Sequence, residues 1–259
     1  MTDAAIYDVA NGVATITLNR PENKNALSAE LINALGDHLE AALADDLVRT
    51  VILTNNGNTF CAGADLKAAA PGQSAETARY NFVSILERII DAPKPVVARI
   101  AGHCTGGGVG LAAAPDISIA AEDVLIGFTE VRIGVAPAVI SVVCLPKLRR
   151  ADASELFLSG ERIAAPRAAE VGLINRSVPR HGLDEAVAEV VSKLVRGGPA
   201  ALAMSKQLVA RVPQMSRSEA FEWTAEVSPT LFAGPEGVEG IAAFRERRDA
   251  SWVPQSEQS

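Results

Sequence analysis

An α/β fold followed by a helical C-terminal stretch is predicted by three observations on this 259-residue chain. Short runs rich in β-branched residues alternate with helical periodicity over residues 1–196. Two glycine-marked turns, at Phe60-Cys61-Ala62-Gly63-Ala64-Asp65-Leu66-Lys67 and at Gly106-Gly107-Gly108-Val109-Gly110-Leu111, each follow an apolar run. From about Gly197 the strand signal disappears and only helical patterns remain, so the expected division is a core of 1–196 and a helical region of 197–259.

Taken in order, Val13 to Leu18 and residues 50–54 read as strands because their branched side chains suit a pleated, half-buried surface. Between them Leu31, Leu35, Leu39 and Leu43 recur every fourth position, on a helix that Ser28 can cap. A second helix is expected over about residues 74–90, stopping before Pro93 and Pro95, and a strand over 95–100 then leads into the triple glycine. The last three helical stretches span 199–212, 218–232 and 237–248. Their apolar residues, among them Phe221, Trp223, Phe232 and Phe244, do not form a self-contained core, and such a tail needs a surface to pack on.

Apolar residues make up 48% of the chain, enough for a sizeable core. The net charge of -7 and the absence of any long Lys/Arg block argue against nucleic acid as a partner. Charged or polar residues such as Arg99, Asp116 and Ser141 interrupt the apolar stretches, and the first residues lack a basic segment followed by an apolar one, so neither membrane insertion nor export is expected. Cys61, Cys104 and Cys144 are widely spaced with no Cys-x-x-Cys pair. They read as reduced, small, buried side chains of a cytoplasmic protein, with no metal site and no nucleophile for which His and carboxylate partners can be assigned.

A glycine at a strand end is usually a tight turn or a helix start, because only glycine takes φ > 0 without strain. Two such turns in one chain allow one N–H from each to converge on a single oxygen and stabilise charge that develops there. The blocks Leu18-Asn19-Arg20-Pro21 with Asn25-Ala26-Leu27-Ser28, Phe60 to Lys67, Gly102 to Asp116, Glu130-Val131-Arg132-Ile133-Gly134 with Pro137, and Ser159-Gly160-Glu161-Arg162-Ile163 leading to Ala169-Glu170-Val171-Gly172-Leu173 occur in this order. On these five blocks the chain resembles the crotonase (enoyl-CoA hydratase/isomerase) superfamily over nearly its whole length.

The resemblance implies a crotonase-like ββα spiral whose C-terminal helices build trimers that commonly pair into hexamers. It implies an acyl-CoA thioester as substrate, with coenzyme A part of that substrate and no separate cofactor. The oxyanion donors it assigns are the amides of Ala64 and Gly107, and the proton carrier is Glu130, which follows the apolar Ile126-Gly127-Phe128. It further implies that backbone atoms of the loop Lys24-Asn25-Ala26-Leu27 line the adenine, that Lys67 lies near the phosphates, and that Ala62, Asp65, Leu66, Gly106, Gly110 and Pro137 contribute to the substrate site. Asp65 can also cap a helix starting after Ala64. Structural packing is the alternative for Gly106, Gly108 and Gly110, and His103 is expected to hydrogen-bond locally.

One departure matters. Typical enoyl-CoA hydratases carry a first glutamate three positions after the oxyanion glycine, where this chain has Gly110. Hydration by two carboxylates therefore cannot be transferred unchanged, and a single carboxylate suffices for a Δ3,Δ2-enoyl-CoA isomerase. The run from Glu130 to Ser141 nonetheless looks like the methylglutaconyl-type hydratase branch, so hydration of a 2-enoyl-CoA is the expected activity. Replacing Gly110 by Glu should be tolerated by a helical backbone. Two other readings stay open: a dinucleotide turn, from Gly108-Val109-Gly110-Leu111-Ala112-Ala113 with Glu130 beyond it, and a non-catalytic acyl-CoA binder.

Overall fold

The computed structural model describes residues 3–66 and 79–254. The strands are β1 (Ala5–Ala10), β2 (Val13–Leu18), β3 (Thr50–Asn55), β4 (Thr59–Cys61), β5 (Val96–Ile100), β6 (His103–Thr105), β7 (Ile117–Ala121), β8 (Leu125–Gly127), β9 (Arg162–Ala164) and β10 (Arg176–Val178). The helices are α1 (Ala29–Ala44), α2 (Phe82–Ile90), α3 (Gly107–Ala113), α4 (Ala138–Cys144), α5 (Arg150–Ser159), α6 (Ala165–Glu170), α7 (Leu183–Leu194), α8 (Pro199–Arg211), α9 (Arg217–Ala233) and α10 (Pro235–Glu246).

Among the described residues the strands form two sheets, ordered β1-β2-β3-β5-β7-β10 and β4-β6-β8-β9. Successive strands alternate between the sheets: β3 then β4, β5 then β6, β7 then β8, each pair followed by a helix. That is the ββα spiral. Within the larger sheet β2, β3, β5, β7 and β10 run parallel, so β3 and β5 are covered on both faces and read as almost unbroken apolar runs. Val51, Leu53, Val96, Val97 and Ala98 are all fully buried.

Helix α1 forms where its leucines predicted, and the Ser28 hydroxyl accepts the Leu31 N–H at 3.3 Å. Leu31, Leu35 and Leu39 are completely buried, each contributing about 1.5–3 kcal/mol of transfer free energy. Helix α2 begins later than about residue 74, in a correction to the sequence expectation. Asn81 caps it, its side chain accepting from Ser84 N at 2.8 Å while Ser84 Oγ accepts from Asn81 N. This reciprocal cap places Arg79 and Tyr80 before the helix, and residues 67–78 lie outside the described part.

The three C-terminal helices also form, close to the expected spans. Lys206 on α8 ties them to the spiral, with Nζ 2.8 Å from Asp116 Oδ2 and donating to the Lys94 carbonyl at 3.1 Å. Arg49 donates to the Gly197 carbonyl at 2.7 Å. Glu236 at the start of α10 accepts the Ala200 N–H at 2.9 Å and so caps α8.

Candidate active site

The Gly63 turn is shaped by backbone geometry. Gly63 has φ +85°, and a Cβ there would come within 2.8 Å of the Gly107 amide nitrogen and 2.9 Å of the Thr105 carbonyl. Only glycine fits both the conformation and the space. Its missing side chain is what lets the two glycine turns touch. Neighbouring bonds fix the peptide: Leu27 N–H donates to the Gly63 carbonyl at 2.8 Å, Ala62 N–H to the Lys24 carbonyl at 3.1 Å, and the Thr105 hydroxyl to the Ala62 carbonyl at 3.2 Å. Ala64 pairs with Leu27 as a parallel bridge.

Gly107 opens α3, so its N–H is one of the helix's first-turn donors with no intrahelical acceptor, at the positive end of the dipole. Gly106 before it takes φ 55° and ψ -132°, a combination closed to side-chain-bearing residues. Where the Gly106 side chain would be, the nearest atom is Glu130 Oε1, 3.5 Å from an ideal Cβ. The Gly63 turn, the Gly106–Gly107 turn and Glu130 therefore lie against one another.

Glu130 lies in a 3₁₀ turn over Thr129–Ile133, and the preceding Phe128 packs its ring against Phe157 with centroids 4.2 Å apart. Among the described residues its buried Oε2 has no hydrogen-bond partner. Burial raises the carboxyl's pKa above its ordinary 4.5, and a hydrogen bond with its own backbone opposes this only in part. A half-buried carboxyl whose Oε2 has no partner among the described residues, and whose burial favours the protonated form, is suited to taking up and returning a proton.

Gly110, one turn along α3, is in a different environment. It is buried, and a Cβ there would come 2.3 Å from Ile140 Cγ2 and 2.9 Å from Ile140 Cβ on α4. Ile140 occupies the volume that a glutamate at 110 needs, so the expectation that Gly110→Glu would be tolerated is overturned by packing, not by backbone propensity. Gly108 is equally structural, since a Cβ would lie 2.0 Å from the Cys61 carbonyl oxygen. The Ile140 contact at Gly110 argues against the dinucleotide reading, in which Gly110 is the glycine that must let a pyrophosphate approach the backbone.

The expected nucleotide-end residues fall on one loop. Lys24 is exposed with φ 59°, Ala26 is buried, and Leu27 reaches the Gly63 turn. Asn25, which the sequence placed in this loop without a role for its side chain, is fully buried with φ 50°. Its Oδ1 accepts Arg20 N–H at 2.7 Å, and its Nδ2 donates to the carbonyls of Thr59 at 2.7 Å and Asn56 at 3.1 Å. Ala62 and Asp65 are half-buried beside the turn, and Leu66 is 61% exposed. Pro137 is buried at the start of α4. Lys67, and the helix Asp65 was expected to cap, lie outside the described residues.

All three cysteines are buried and unpaired. Burial pushes the thiols of Cys61 and Cys144 up to about 12 and that of Cys104 well above its ordinary value, which leaves them protonated and unreactive. Cys61 Sγ accepts the Gly63 N–H at 3.4 Å. His103 Nδ1 accepts the Leu125 N–H at 3.0 Å, a local bond that occupies the nitrogen a base would use. Among the described residues no group of three or more His, Cys, Asp or Glu could hold a metal ion, and no helix is long and apolar enough to cross a membrane.

Residues 8–255 match the sequence pattern of the family described as enoyl-CoA hydratase/isomerase. A Thermus thermophilus protein provisionally named enoyl-CoA hydratase is 34% identical over 242 residues, covering 91% of this chain and 95% of that one. The carnitinyl-CoA dehydratase of Salmonella typhimurium is 33% identical over 257 residues, covering 96% and 98%. The crystal structure of an enoyl-CoA hydratase from Mycobacterium smegmatis superposes with a TM-score of 0.87 at 32% identity, over 96% of this chain and 98% of that one. With its pattern matched almost end to end, its spiral superposed and its two glycine turns meeting at Glu130, the chain belongs to the enoyl-CoA hydratase/isomerase (crotonase) family.

Proposed function

We propose that this protein is an enoyl-CoA hydratase that adds water to a 2-enoyl-CoA. The observation carrying this reading is the convergence of the Gly63 and Gly107 turns on a buried carboxyl whose Oε2 has no partner among the described residues. The thioester oxygen sits between the N–H groups of Ala64 and Gly107. As water adds at the β-carbon, charge moves onto that oxygen, and two preset donors stabilise it where no solvent need reorganise. Glu130 orients the water, takes its proton and returns a proton to the α-carbon. Loss of one such donor costs other enzymes about 10² to 10³ in rate, so the amides supply a large share of the acceleration.

A second reading is favoured by one observation. Gly110 carries no carboxylate and Ile140 packs against it, and one carboxylate is enough to move a proton between carbons, as a Δ3,Δ2-enoyl-CoA isomerase does. A buried carboxyl oxygen with no partner among the described residues counts against a third reading, a non-catalytic acyl-CoA binder, because an idle buried acceptor costs stability without return. Parallel turnover assays with crotonyl-CoA and a 3-enoyl-CoA test all three: water addition supports the hydratase, double-bond migration alone the isomerase, and silence on both the binder.

The helices of 197–259 are proposed as the oligomerisation region, giving a homotrimer or a dimer of trimers. Phe221, Phe232 and Phe244 are 70%, 67% and 86% exposed there, an unusual load of bare aromatic surface for a single chain. Light scattering at micromolar concentration should give three or six chain masses, and a monomer mass of 27.0 kDa would refute the assembly.

A further inference from the structure

The Gly63–Ala64 peptide is planar and trans, so the direction of the Ala64 N–H is set by whatever holds the Gly63 carbonyl at the other side of the same unit. The Leu27 N–H holds it at 2.8 Å. Leu27 belongs to the loop whose Lys24 carbonyl accepts from Ala62 N–H, and that loop's shape depends on Asn25. With φ 50°, Asn25 bends the chain in a conformation that asparagine tolerates better than most residues. Its buried amide binds Arg20, Asn56 and Thr59 backbone atoms. From the other side the Thr105 hydroxyl holds the Ala62 carbonyl at 3.2 Å, and Cys61 Sγ takes the Gly63 N–H.

We propose that Asn25 and Thr105 are positioning residues which, through Leu27 and Ala62, aim the Ala64 amide at the thioester oxygen, so that the loop expected to receive the nucleotide end of coenzyme A also sets the oxyanion donor. This rests on the oxyanion role of Ala64 in the proposed function. The Ala62 and Gly63 carbonyls and the Ala62 and Gly63 N–H groups are each engaged by a neighbour. The Ala64 N–H lies in a unit pinned at its carbonyl end, which is what a preset donor requires.

The test uses crotonyl-CoA beside crotonyl-N-acetylcysteamine, a thioester with no nucleotide to touch the loop. Asn25→Asp keeps the acceptor for Arg20 and the tolerance of positive φ but turns the Nδ2 donor into an oxygen facing two carbonyls. The expected result is a fall in kcat of about 10- to 100-fold on both thioesters, somewhat less than complete loss of a donor. At saturating protein, a bound arylacryloyl-CoA should show a smaller shift to longer wavelength, because its carbonyl is less polarised. A fall confined to the CoA thioester would mean that the loop only binds nucleotide, and no fall at all would equally overturn the proposal. If Asn25→Asp does not fold, Thr105→Val decides, being isosteric and lacking only the hydroxyl. It should lower kcat on both substrates and reduce the shift, Thr105→Ser should restore both, and a wild-type Thr105→Val would end the proposal. Failure of the underlying functional reading looks different, since the parent protein would then neither turn over nor shift either probe.

Discussion

The two sides of the short helix α3 use the same residue type for opposite ends. At its start Gly106 has Glu130 Oε1 as the nearest foreign atom, at ordinary contact distance from an ideal Cβ, and glycine is required there by the backbone turn that leads into the Gly107 amide. One turn on, Gly110 is required because Ile140 has already taken the volume of its side chain. The first glycine makes room for chemistry. The second seals a wall, with Ile140 packed against the position where the expected two-glutamate hydratase would carry a carboxylate. A run of glycines in a sequence hides this difference, which becomes visible only when the neighbours are known.

The largest effect that sharpens the contrast is at the open end. Glu130→Gln keeps the shape of the side chain and removes its ability to carry a proton, so kcat should fall by about 10² to 10⁴ while CoA affinity stays near that of the parent. Stopped assays on crotonyl-CoA with a parallel binding titration measure both. Turnover close to the parent's would mean that the free carboxyl oxygen is not the proton carrier, and the open end would lose its meaning.

At the sealed end, Gly110→Glu should destabilise the fold by about 1–3 kcal/mol through overpacking alone, with the buried charge adding to it. Shrinking the opposing residue by Ile140→Ala should recover much of that loss in the double variant, although Ile140→Ala by itself opens a cavity and costs about 2–5 kcal/mol. The informative quantity is the non-additivity in urea melts. Coupling above about 0.5 kcal/mol places the two side chains in one volume, and the folded double variant should then hydrate crotonyl-CoA faster relative to double-bond migration than the parent does. Strictly additive costs would break the comparison.

Much of the fold was legible in the residues. The fourfold leucine spacing of α1, the β-branched runs of β2 and β3, the cap at Ser28 and the helix start at Gly107 are local signals, and local signals survive into the structure. Where the second helix begins was not legible, because Asn81 and Ser84 form their reciprocal cap within a stretch whose apolar pattern also continues upstream. The site divides in the same way. The roles proposed for Ala64, Gly107 and Glu130 come from motif position, whereas Asn25, Thr105 and Ile140 meet partners 34, 43 and 30 positions away, at Thr59, Ala62 and Gly110. No single-sequence pattern encodes those distances. Asn25 did leave one trace, since a Lys-Asn pair after a Pro-Glu-Asn segment suits a left-handed turn.

The smallest expected effect concerns stability, not rate, and it comes from the same buried carboxyl. In the unfolded chain Glu130 titrates near 4.5, and in the folded protein burial moves that value up. The folded state therefore holds its proton more tightly than the unfolded state does. Its contribution to stability is present below about 4.5 and is lost as pH rises through the raised folded value, because the fold must then accommodate a charge it disfavours. Glu130→Gln has no charge to accommodate. Its melting temperature should lie above the parent's at pH 7 to 8, and the gap should close as the pH falls below about 4.5. Stability that the fold gives up to keep Oε2 free is the counterpart of its catalytic use, and at Gly110, where Ile140 packs the space, no such pH-dependent gap is expected. A gap that is absent at neutral pH, or that widens on acidification, would mean that Glu130 is not held above its ordinary value, and the wall and the open end of α3 would differ in shape alone.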